Sequence, residues 1–135
     1  MPGAPRYLAD THIAVRWMID SAKLSKPQLR ALEDSVRRHE PVAVSVITLL
    51  EIALLSSDGR LKLTQPLEAF FDAIQSSPAF RLLPLTSEIA LEAGNLSILR
   101  DPADRVIAAT ARVHRLRLVT TDQRIIESNT VTVVE

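Results

Sequence analysis

Five short runs rich in β-branched and aliphatic residues punctuate the chain: Arg6 to Ala9, Val42 to Ser45, Phe80 to Leu83, Arg117 to Thr120 and Val131 to Val134. Their length and composition predict strands. Between them the apolar positions fall into a helical period. Leu29, Leu32 and Val36 recur at i, i+3 and i+7 behind Ser25 and Gln28, which read as a capping box. Leu67, Phe70, Phe71 and Ile74 follow i, i+3, i+4 and i+7, and Thr86 is placed to cap a helix carrying Ile89, Ala90 and Ala93. Pro102 sits at a first helical position behind Asp101, and the nearly continuous apolar run to about His114 predicts a helix with little surface for water. Strands alternating with helices over short connections predict an α/β fold, with a mainly parallel sheet sandwiched between helices.

Composition sets the limits of this picture. A chain of 135 residues, 47% hydrophobic, suits one folded domain and no more, residues 1–5 looking like an N-terminal extension. No segment approaches the length of a membrane helix and no leader pattern opens the chain, so a cytoplasmic location without membrane contact is expected. Absence of cysteine removes disulfides, thiol catalysis and thiolate metal sites, so any metal must bind oxygen or imidazole. Sixteen basic residues balance sixteen acidic ones, which gives no global electrostatic reason to bind nucleic acid. From Arg100 to Arg124 six arginines meet three aspartates, which reads first as a solvated helix face.

In open parallel sheets, sites form beyond the carboxyl ends of the strands. Four acids fall there: Asp10 after the first strand, Glu51 within two turns of the second, Asp104 in the first turn of the Pro102 helix, and Asp122 after Thr121. Taken singly, Asp10 and Asp122 read as helix caps, and Asp104 as a carboxylate favoured by a helix dipole. Glu51 is less ordinary. Ser45, Thr48 and Glu51 recur every three residues, setting two hydroxyls and a carboxylate on one face among Val46, Ile47, Leu49, Leu50 and Ile52. Two carboxylates about 5 Å apart repel by roughly 3 kcal/mol at an effective dielectric near 20, so four acids drawn together call for a cation. All-oxygen ligation suits Mg²⁺ or Mn²⁺.

The motifs in these places resemble those of VapC-like PIN domains. Leu8-Ala9-Asp10-Thr11-His12 is similar to their opening LLDTH, and Ser45 to Ile52 to their S-x-x-T-x-x-E. Asp101-Pro102-Ala103-Asp104-Arg105-Val106-Ile107-Ala108-Ala109-Thr110-Ala111 resembles their D-P-x-D-R-x-I-A-A-T-A, and Leu118 to Asp122 their fourth motif. The third is distinctive, and all four occur in order across residues 7 to about 134. Departures are small: Leu99 or Arg100 stands where many relatives have His. The resemblance implies a three-layer PIN fold on a five-stranded parallel sheet. It further implies Mg²⁺- or Mn²⁺-dependent cleavage of RNA, a homodimer, and inhibition by a cognate VapB-like antitoxin whose tail lies between the first helices and the Glu51 helix. Asp10, Glu51, Asp104 and Asp122 become the catalytic, metal-binding acids, with Thr11, Ser45, Thr48 and Thr121 as supporting hydroxyls.

The expected chemistry is hydrolysis by a water that Glu51 or Asp122 orients or deprotonates, the sequence leaving both open. Arg105, beside a proposed ligand, is within reach of a phosphate or of a neighbouring acid. Arg112, Arg115 and Arg117 read as a solvated or RNA-facing edge, His12 as structural, and Trp17, Met18 and Ile13 as core. A haloacid-dehalogenase-like phosphatase needs a second Asp two positions after its nucleophile, where this chain has His12. A phosphate-accepting receiver domain needs a lysine near the last strand, and Lys23, Lys26 and Lys62 lie elsewhere. The remaining alternative is a catalytically silent PIN-like domain that binds RNA or partners, against which the presence of all four acids argues.

Overall fold

The computed structural model describes residues 3–135. Its strands fall on the predicted runs: β1 (Tyr7–Ala9), β2 (Val42–Ser45), β3 (Phe80–Leu83), β4 (Arg117–Val119) and β5 (Val133–Val134). They form one sheet in the order β3-β2-β1-β4-β5, every neighbouring pair parallel. Parallel neighbours need crossovers, and helices supply them. Helices α1 (Thr11–Ile19) and α2 (Lys26–Arg37) lead from β1 to β2, and α3 (Val46–Ser57) and α4 (Leu67–Ser76) lead on to β3. The return to β4 runs through α5 (Ser87–Asn95) and α6 (Pro102–His114), and α7 (Gln123–Ser128) connects β4 to β5.

Alternation along the strands buries both faces of the sheet. Leu8, Ala43 and Leu118 join Ile89 of α5, Ile107 of α6 and Ile125 of α7 in one core. Ala9, Val42, Val44 and Val119 join Ile13 and Ala14 of α1 and Leu32 of α2 in the other. The result is the expected three-layer α/β/α architecture. A third cluster of Val15, Ile52, Phe70 and Ile74 ties α1, α3 and α4 together beside β3. Trp17 packs edge-on against Phe80 with ring centroids 5.4 Å apart, so the apolar patch of the first helix is core.

Local chemistry fixes the helix starts. The Ser25 and Gln28 capping box forms at α2, the Thr86 hydroxyl accepts from the Ile89 amide at α5, and Asp101 caps α6 ahead of Pro102. Gln28 is fully buried and also donates to the Thr120 carbonyl at 3.5 Å, linking α2 to the end of β4.

Two strands are shorter than their apolar runs. β4 stops at Val119 because Thr120 turns its hydroxyl towards Asp10, although its amide still donates to the Val134 carbonyl at 3.2 Å. β5 is confined to Val133 and Val134. Helix α6 is also less buried than its composition implies, since Arg112 and His114 in its last turn are exposed. Of the expected extension, residues 1 and 2 lie outside the described residues. Gly3 donates to the His39 carbonyl at 3.2 Å, and Arg6 pairs with Glu40 at 3.0 Å. No helix among the described residues is long and apolar enough to cross a membrane.

Chain order reverses between β1 and β4, because β1 leads outward to β2 and β3 before the chain returns. The crevice at the carboxyl ends of such a pair is where ligands bind in open parallel sheets. The interior away from that crevice is a stability matter. Phe70, 1% exposed in the third cluster, should cost about 3–5 kcal/mol of unfolding free energy as Phe70→Ala, read from the midpoint of urea denaturation.

Candidate active site

The reversal point places four acids from four elements along one rim. Asp10 caps α1: its Oδ1 accepts from the Thr11 amide at 2.8 Å and its Oδ2 from the Thr120 hydroxyl at 2.6 Å. That same hydroxyl accepts from the Asp122 amide at 3.0 Å, so one buried side chain orients two acids. Asp122 caps α7, accepting from the Arg124 amide at 2.9 Å. On α3, Glu51 Oε1 accepts from the Thr11 hydroxyl at 2.5 Å, and Thr48 Oγ1 lies 3.0 Å from Thr11 Oγ1. With its single proton given to Glu51, Thr11 must accept from Thr48, which sets a chain from Thr48 through Thr11 to Glu51. Asp104 occupies the first turn of α6 and is 7% exposed.

The electrostatics show that these groups feel one another. Asp104 is pushed from the usual 3.8 up to about 7, first by burial and then by the negative charges of Asp101, Asp122 and Asp10, with Arg124 pulling the other way. Burial raises Asp10, opposed by its bonds to Thr120 and Thr11 and by the charge of His12. Burial also raises Glu51, opposed by the Thr11 hydrogen bond and reinforced by the charges of Asp10 and Asp101. Five carboxyl groups therefore share the rim. In the sequence, Asp101 reads as a helix cap and as the start of the third motif, not as a member of the acid set; its position one turn before Asp104 was the signal that the two would be neighbours.

The acids are brought together more loosely than a cage. Among the described residues, no three carboxylates or imidazoles are drawn tightly enough to hold one ion. Like charges repel unless a counter-ion stands between them, and Asp10, Glu51 and Asp122 each keep a donor of their own. Arg124 from α7 partly fills that role, its guanidinium lying 3.3 Å from Asp122 Oδ2 and 3.8 Å from Asp104 Oδ2. An all-oxygen donor set with excess negative charge still fits Mg²⁺ or Mn²⁺, which needs only one or two direct carboxylates and keeps several waters.

The supporting residues divide. Thr11 and Thr48 hold Glu51, and Ser45, nearly buried, caps α3 by accepting from the Ile47 amide at 3.2 Å. Thr121 is exposed, and the hydroxyl expected there is supplied by Thr120. Proximity to the strand carried the signal: Leu118 and Val119 are both fully buried, on opposite faces, so Thr120 directly after them stays inside while Thr121 lies beyond the strand. Among the described residues Arg105 pairs with no acid, and its Nε donates to the Leu99 carbonyl, closing the loop before α6. Arg112, Arg115 and Arg117 line one surface depression with Leu116 and Thr130 to Thr132, Arg112 pairing with Glu92 at 2.6 Å and Arg117 lying over the Tyr7 ring. Nothing in the sequence marked Arg124.

Comparison with known proteins shows the family. Ribonuclease VapC22 of Mycobacterium tuberculosis is 34% identical over 120 residues, 87% of this chain and 88% of that protein. Among solved structures, VapBC from Salmonella typhimurium bound to DNA matches with a TM-score of 0.69 and 18% identity, covering 96% of each chain. VapBC2 from Rickettsia felis, bound to a promoter DNA fragment, matches with a TM-score of 0.68 and 18% identity over 94% of this chain and 96% of that one. The PIN-domain family model matches residues 7–129, and the chain belongs to the PIN-domain family, among its VapC-like members.

Proposed function

We propose that the chain is a Mg²⁺- or Mn²⁺-dependent endoribonuclease and the toxin of a VapBC-type toxin–antitoxin pair. The observation that carries this reading is the set of buried, mutually repelling acids at the sheet's reversal point, with Asp104 pushed up to about 7. Similarity to a ribonuclease supports the substrate class. A VapB-like antitoxin and a second copy of the chain are the protein partners of this reading. Leu50 and Leu54 on α3 and Leu91 on α5, exposed by 53%, 55% and 74%, offer apolar surface for such partners.

Asp10 and Asp104, the two most buried acids, hold the cation. When bound, the ion neutralises the carboxylate repulsion and stabilises charge on the phosphate oxygens. Glu51 is favoured over Asp122 as the group that takes the proton of the attacking water. Both oxygens of Asp122 already receive hydrogen bonds from Arg124, whereas Glu51 accepts one bond at Oε1 and burial raises its proton affinity. Thr11 keeps Glu51 aimed at the rim.

Asp10→Asn and Asp104→Asn should each abolish cleavage of a labelled single-stranded RNA while keeping the wild-type circular dichroism spectrum. EDTA should stop the wild-type chain. Glu51→Gln should lower kcat by about 10²–10⁴ while leaving RNA affinity in place. Absence of wild-type cleavage in both Mg²⁺ and Mn²⁺ would turn the reading to a silent binding domain.

The raised carboxyls also set a dependence on pH. A folded chain that holds these protons more tightly than the unfolded chain is most stable where they are bound, and loses that stability as pH rises from about 4 through about 7. In EDTA, Tm should fall on the order of 5 °C over that range. Mg²⁺ should raise Tm more at pH 8 than at pH 5, and Asp104→Asn should flatten the profile, as followed by differential scanning calorimetry.

A further inference from the structure

Beside the acid rim lies a cavity of about 330 Å³ that the reaction proposed above does not use. Four basic side chains line it, Arg16, Lys23, Arg60 and Lys62, against a single acid, Asp20. None of the four joins an ion pair with a described residue, unlike Arg6, Arg37, Arg38, Arg112 and Arg124. His12 forms the end nearest the acids, and its charge acts on both Asp10 and Glu51.

The cations are held in place by structure on both sides. His12 and Arg16 are one turn apart on α1, with Ile19 a further turn along the same face. Across the cavity, Gly59 takes a left-handed turn at φ 73 after α3, and the amides of Arg60 and Leu61 both donate to the Leu55 carbonyl. Leu61 packs into the third core cluster, so its neighbours Arg60 and Lys62 are left facing solvent. The floor contributed by Val15, Ile19 and Leu61 is apolar.

We propose that this cavity is a binding site for the sugar–phosphate backbone of single-stranded RNA, receiving phosphates next to the one presented to the acids. The inference rests on the ribonuclease reading and names where its substrate lies. Unpaired, exposed cations neutralise phosphates and release counter-ions, while the apolar floor accommodates a ribose or base face. An acidic rim alone would repel the polymer it cuts. The cavity supplies attraction one residue along from the repulsion.

The test is binding of a fluorescein-labelled single-stranded RNA of about a dozen nucleotides to the Asp10→Asn chain in Mg²⁺, over a salt series. Adding Lys23→Ala and Lys62→Ala together should weaken binding about tenfold and make the slope of log K against log salt shallower by about 1.4, two phosphate contacts at about 0.7 each. Arg30→Ala, which lines a separate depression with Tyr7 and Arg117, should leave both readouts unchanged. Both lysines are exposed, and thermal melting should confirm an unaltered fold. Unchanged affinity and slope in the double variant overturn the proposal. Unchanged RNA binding with lost binding of polyglutamate also overturns it, and assigns the cavity to an acidic peptide. Wild-type cleavage together with unaltered binding overturns the cavity alone, and altered binding without wild-type cleavage overturns the ribonuclease reading alone.

Discussion

A buried hydroxyl at the end of β4 holds the rim in register. Thr120 gives its proton to Asp10 and accepts the amide of Asp122, so the ends of β1 and β4 are fastened through one oxygen. The bond to Asp10 is buried and charge-assisted, the stronger class of hydrogen bond. Neighbouring strands in a parallel sheet set only the separation of their backbones. The aim of side chains beyond the last ladder bond depends on local donors of this kind. Thr48 and Thr11 do the same for Glu51, which stands on a helix otherwise rich in apolar residues.

Those donors permit a concentration of acids that would otherwise oppose folding. The chain as a whole is neutral, yet five carboxyl groups lie at one edge of its sheet. Burial and mutual repulsion raise Asp10, Glu51 and Asp104, and neutral hydroxyls stabilise charge on Asp10 and Glu51 without adding any. The two cores behind the rim tolerate this because each is apolar and continuous from sheet to helix.

Much of the architecture was legible in the sequence, because two periodicities encode it. Short β-rich runs such as Tyr7 to Ala9 and Val42 to Ser45 named the strands, and the spacing of Leu67, Phe70, Phe71 and Ile74 named a helix face. Strand-end logic placed Asp10, Glu51, Asp104 and Asp122 on one edge. Finer features required distances that a linear pattern does not hold. Thr121 was named through the fourth motif, which does not tell which of two adjacent threonines turns to Asp10. The guanidinium of Arg105 turned to the Leu99 carbonyl, a choice set by the shape of the preceding loop. Arg124 reaches Asp104 across the rim with the full length of its side chain, from an element far along the sequence. The basic cavity unites residues nearly fifty positions apart, and no motif announces it.

The guanidinium of Arg124 gives the acid rim a positive charge of its own. It is 74% exposed at the side chain and bridges acids from two elements, so it acts as a resident countercharge with open access to solvent. Exposed pairs of this sort contribute little and exchange readily. A cation approaching the acids would therefore meet a positive charge already in place and would enter by displacing it. Any rival occupant of the rim has to compete with an arginine that never leaves the neighbourhood.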